Sequence, residues 1–207
     1  MSSTAPAARQ QAPPSDAMLI GAITIALLAD LPPASLAAAL GGVLVPAGIA
    51  AGVVAEVAGL VATPVNMRLA GGPASIYTAA SEPSRRAAYI LAASRRVEAG
   101  GTIDAERTFM RQHLQAARAR AGAALDVDAA VTANGTLLGW RSRRDAHVDP
   151  ICARLDGTNF DVTRPPGGYP GQLHGGTCRC SAVAPFGANS RREPAGAGLR
   201  GGAGRLG

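Results

Sequence analysis

The chain has 207 residues, a net charge of +6 and 47% hydrophobic residues, yet only 3% aromatic ones. That length allows one domain or two small ones, and the apolar fraction is too high for a wholly disordered chain. Seven aromatic side chains are too few for a base-stacking platform on single-stranded nucleic acid, and three Cys, an odd number, argue against a closed disulfide framework.

Residues 1–15 are polar and rich in Ala, Pro and Gln, and read as a disordered tail, not a signal peptide. An apolar run over 18–31 stops at Pro32 and Pro33. A second run, over 36–55, has twenty uncharged residues, which is the length of a membrane span. Pro46 and the Gly41–Gly42 pair interrupt it, Glu56 continues it, and no aromatic belt or basic flank marks an interface. The expectation is therefore a closely packed pair of Ala-rich helices within residues 16–76 and no membrane span.

Ser81, Glu82 and Pro83 suggest an N-cap with Pro in the first turn, opening a helix that ends at Gly100–Gly101. A second helix is predicted from Thr102 to Leu125, with Met110, Leu114, Ala117 and Ala121 on one face. Arg107, Arg111, Arg118 and Arg120 fall on its other faces. Asp126 or Asp128 then caps one more short helix before a turn at Asn134–Gly135. Residues 77–135 thus form a helical segment.

The texture changes after Gly135. TLLGWRS reads as a strand, DAHVDPICARLDGTNFDV as a loop, a helical turn and a short strand, and TCRCSAVAPF as a last strand. Residues 136–186 make a small β-rich module, and 187–207 a flexible basic tail. The fold class is α+β: a mostly helical N-terminal region followed by this module. Residues 140–207 hold ten Arg against five acids, and all three Cys with two of the three His. A positive face of this kind is either merely solvated or able to bind nucleic-acid backbone without sequence choice.

Cys178 and Cys180 are two residues apart, so on a strand both thiols point to one face. His174 lies four residues earlier, and Cys152 can return across the loop. Three thiolates and one imidazole make a closed, structural zinc site; Asp149 and His147 are further ligand candidates. The same residues also suit three reduced thiols in a small β-element, with His174 bonded to a loop carbonyl. A Cys178–Cys180 disulfide is disfavoured by geometry. Catalysis through a Cys152 thiolate, with His174 as base and Asp149 as orienting group, is a third arrangement.

Several unusual elements keep one order: Trp140, then Asp145-Ala-His-Val-Asp-Pro-Ile-Cys152, Leu155-Asp-Gly157-Thr-Asn-Phe160, Pro165-Pro-Gly-Gly-Tyr-Pro170 and His174-Gly-Gly-Thr-Cys-Arg-Cys180. This order resembles the C-terminal module of the phage Mu F-like minor head proteins, also called phage head morphogenesis proteins. The upstream helices resemble the segment that precedes the module, so the likeness covers roughly residues 80–186. Many relatives carry C-x-x-C where this chain has Asp149-Pro-Ile-Cys152. The resemblance implies a minor virion component without catalysis, working in head assembly with portal and capsid or scaffold proteins. It also implies structural roles for Trp140, Asp145, Gly157, Phe160 and Arg179. Packaged DNA is a further partner, met non-specifically, and the N-terminal helices are a docking or self-association element. A virion location follows, inside the capsid or at the portal vertex, with assembly in the host cytoplasm. Zinc is inferred from ligand types alone. The rival readings are a zinc-stabilised nucleic-acid-binding module and a Cys- or metal-dependent hydrolase.

Overall fold

The structure is a computed structural model and describes residues 14–61, 69–173 and 178–187. Residues 1–13 and 188–207, which make up most of the two expected tails, and His174 lie outside the described residues; Ser15, expected in the first tail, instead caps the first helix. The fold class is α+β: helices α1 (Asp16–Leu28), α2 (Pro33–Leu44), α3 (Ala51–Val61), α4 (Pro73–Glu98), α5 (Ile103–Asn134) and α6 (Pro150–Leu155), with strands β1 (Leu137–Arg141), β2 (Asn159–Asp161) and β3 (Ser181–Val183). The chain divides into two compact units. The first is residues 1–63 with 83–106; the second is 64–82 with 107–207. Both α4 and α5 contribute to each.

In the first unit the expected pair of N-terminal helices is three. Ser15 caps α1 by accepting from the Met18 N–H at 3.4 Å. The second apolar run breaks at a Schellman turn, not at Gly41–Gly42, which stay within α2. Ile49 N–H bonds Leu44 C=O at 3.1 Å, Gly48 N–H bonds Val45 C=O at 3.0 Å, and Gly48 sits at φ +93°. Pro46, with no N–H to give, suits that exit. α2 packs against α1 and α3. It buries Leu36, Leu40 and Leu44, and α3 buries Val54, Val57, Ala58 and Val61, each set at helical spacing. No helix among the described residues is long and apolar enough to cross a membrane. Further along, Arg96 grips the buried Glu106 carboxylate at 2.7 and 2.8 Å and holds it below the ordinary carboxylate range.

In the second unit α4 starts at Pro73, ten residues before the proline expected to open it, and Pro83 lies inside the helix. The reason is a cap from far along the chain. The Asp128 carboxylate accepts from the Ala74 and Ser75 N–H groups at 2.9 and 3.1 Å. A Cβ on Gly72 would stand 2.2 Å from the Asp128 Cγ, so only Gly fits beneath it. Asp128 therefore caps α4, and α5 runs unbroken to Asn134 instead of yielding a short extra helix. Gly135, at φ +81°, ends it as expected. Asp128→Ala should leave two buried N–H groups without partners and lower stability by about 1–2 kcal/mol, read from the urea midpoint of the full chain. An unchanged midpoint would mean the cap contributes nothing.

Arg120, on a different face of α5 from Met110, Ala117 and Ala121, is only 3% exposed and pairs with Glu82 at 2.5 and 2.8 Å. Gln172 joins this buried group, donating to the Thr78 hydroxyl at 2.7 Å.

The sheet is antiparallel in the order β2-β1-β3. Leu138 pairs with Phe160 across one side of β1, and Trp140 with Ala182 across the other. The core of the unit joins Ala124 and Val127 of α5 to Leu138, Trp140, Cys152, Leu155, Phe160, Tyr169 and Cys180.

Candidate metal centre

Each residue singled out in the C-terminal block has a local reason for its place. Trp140 is central on the middle strand and fully buried, with the Phe160 ring edge-on at 5.6 Å. Gly157 adopts φ +76° so that its N–H can bond the Trp140 carbonyl at 2.9 Å, returning the chain from α6 to β2. Asp149 caps α6, accepting from the Ile151 N–H at 2.8 Å, and Pro150 takes the first helical position. The cap fixes the short helix that carries Cys152, which is 3% exposed. Phe186, after β3, is held by a two-way amide bond with Asn159 at 2.8 and 2.9 Å and packs where Gly139 leaves room. This clamp secures β3 and with it the approach of the Cys178–Cys180 segment.

The three Cys meet. Their sulfur atoms lie within 4.8 Å of one another, and the Cys152 and Cys178 sulfurs are 3.6 Å apart. All three are free thiols, which removes the Cys178–Cys180 disulfide. Cys178 and Cys180 lie just before β3 rather than within it. Between them, Arg179 reaches back to Asp145 in a two-pronged ion pair at 2.7 and 2.8 Å. Asp145 also accepts from the His147 N–H at 3.1 Å, so one carboxylate ties the 145–148 turn beside the thiols.

A cleft of about 350 Å³ opens over the cluster. Its walls include the three Cys, His147, Asp149 and Arg179, together with Arg143, which the sequence patterns gave no reason to single out. His147 is exposed and Asp149 half-buried.

The thiols do not hold their protons equally. The Cys180 S–H bonded to Cys178 pulls the Cys178 thiol down to about 5, with help from the Cys180 and Gly171 backbone N–H groups. Burial pushes Cys152 up to about 11. Cys180, as donor to Cys178 and buried, is pushed well above the ordinary thiol range, while the Trp140 indole pulls the other way.

The arrangement suits a metal ion. Tetrahedral metal–sulfur bonds of about 2.3 Å space their sulfurs roughly 3.8 Å apart, and this cluster has that scale before any adjustment. Three thiolates select soft or borderline ions over Mg²⁺ and Ca²⁺. The cysteines of the expected ligand set are therefore brought together. Neither His147 nor Asp149 belongs to the close cluster, though both line its cleft. Comparison of the chain with protein-family models, with curated proteins and with solved structures finds no match.

Proposed function

We propose that this chain is a minor structural protein of phage or prophage head assembly, acting through protein contacts at or near the portal and without catalysis. One observation carries the reading. The elements whose order resembles the Mu F-like module also serve one another in space. Trp140 meets Phe160, Gly157 closes on Trp140, Arg179 meets Asp145, and Cys152 meets Cys178 and Cys180. An ordered set of residues that all support one small core is the pattern of a scaffold module. The finer statement is a single structural zinc held by Cys152, Cys178 and Cys180. Its fourth ligand comes from the cleft, where His147 and Asp149 stand, or from His174.

The first unit supports a docking role. Met18, Ile25 and Leu28 on α1 are 67%, 71% and 64% exposed, an apolar display suited to a portal, scaffold or second copy of the chain. DNA contact is the weaker part of the reading. In the module Arg144 is paired with Asp156, Arg179 with Asp145, and Arg141 lies over the Phe186 ring, so much of its positive charge is already engaged.

The test is genetic. Deleting the gene from its phage or prophage should abolish normal DNA-filled heads in electron micrographs of the lysate. Restoring the full chain should recover them. Normal heads and undiminished infectivity without the gene would contradict the reading.

A further inference from the structure

A buried indole N–H points at what the thiol cluster holds. Trp140 is the chain's only tryptophan and its side chain is fully buried. Among the described residues no acceptor, the nearby Cys180 sulfur included, meets its Nε1–H in full hydrogen-bond geometry. A buried N–H left unpaired is destabilising, so a core that keeps one needs a reason for it. The strand register supplies a direction. Trp140 pairs with Ala182, and Cys180 lies two residues before Ala182, next to the start of β3. Both residues belong to the same buried cluster. A neutral thiol is a weak acceptor, whereas a thiolate bound to a metal is a strong one and keeps its lone pairs.

We infer that Trp140 is a positioning residue of the metal centre, donating its indole N–H to a metal-bound Cys180 thiolate. The inference rests on the zinc reading above and adds the group that orients one of its ligands. Metal binding then does two things at once. It joins the three sulfurs, and it turns the Cys180 sulfur into the acceptor that the core otherwise lacks. Replacing the indole by a phenyl ring keeps most of the packing against Phe160 and removes only the donor.

The experiment uses the full chain, labelled with ¹⁵N and freed of metal, titrated with Zn²⁺. With one tryptophan there is one indole N–H resonance. It should move downfield and stop moving at one zinc per chain, and its exchange with solvent should slow. Trp140→Phe should still take up one zinc, but with affinity about 10- to 100-fold lower, the usual effect of losing an outer-shell partner. If zinc binds one-to-one and the indole resonance stays where it was, or if Trp140→Phe binds as tightly as the natural chain, the inference is overturned and the zinc reading stands. If the natural chain takes up no zinc, both fall. Should Trp140→Phe fail to fold, the resonance of the natural chain decides alone.

Discussion

Cys152→Ser is expected to abolish metal binding and to unfold the second unit at temperatures the natural chain withstands. Cys152 reaches the cluster from α6, while Cys178 and Cys180 reach it from the far side of the 162–173 loop. A metal bridging these sulfurs therefore closes a long loop as well as forming bonds. Structural zinc contributes about 10–16 kcal/mol in peptides that are unfolded without it. Here a hydrophobic core around Trp140 and Phe160 already exists, so only part of that energy becomes folding stability. A loss on the order of 4 kcal/mol or more is expected, which is exceptional for one side chain. Thermal melting should show it, and a chelator should lower the natural chain to the level of the variant while leaving the variant unmoved. A chelator without effect on the natural chain would mean that the thiols pack as plain core groups.

The second large effect lies away from the metal. Arg120→Met should cost about 3–5 kcal/mol, because it removes the guanidinium that grips the Glu82 carboxylate, only 6% exposed. The double variant Arg120→Met with Glu82→Leu should recover much of that loss, since it also removes the buried charge that Arg120 compensates. Urea denaturation of the three chains measures this. If the single variant is as stable as the natural chain, the pair is not buried in solution. Gln172 should stay in place in the single variant, because its side-chain amide donates to the Thr78 hydroxyl and to the Arg120 backbone carbonyl, both of which remain.

Local signals made some of this legible in the sequence. Gly100 and Gly135 sit at positive φ where helix ends were expected. TLLGWRS and the turn through Pro150 to Phe160 formed as strand, helix and strand because their patterns are short-range. Two cysteines two apart, with a third able to return across the loop, pointed to a shared thiol site, although both lie before β3 and not on it as the spacing suggested. What was hidden depends on partners distant in sequence. Asp128 caps a helix that begins 55 residues before it, so the local Ser81-Glu82-Pro83 pattern suggested a start where none occurs. Arg120 looks solvated until Glu82, 38 residues earlier, is placed against it. The N-terminal apolar runs carry no aromatic residue and little polarity, so no periodicity announced that Gly48 would divide the second into two helices. The Trp140 donor was out of reach for the same reason, because its unpaired N–H is a property of the packed core.

The most direct test of a metal-held structural module is elemental analysis of the purified full-length chain beside Cys178→Ser. One zinc per natural chain, and none in the variant, is the expected result. Zinc absent from both, in protein purified without chelator and with its thiols reduced, would contradict the metal centre.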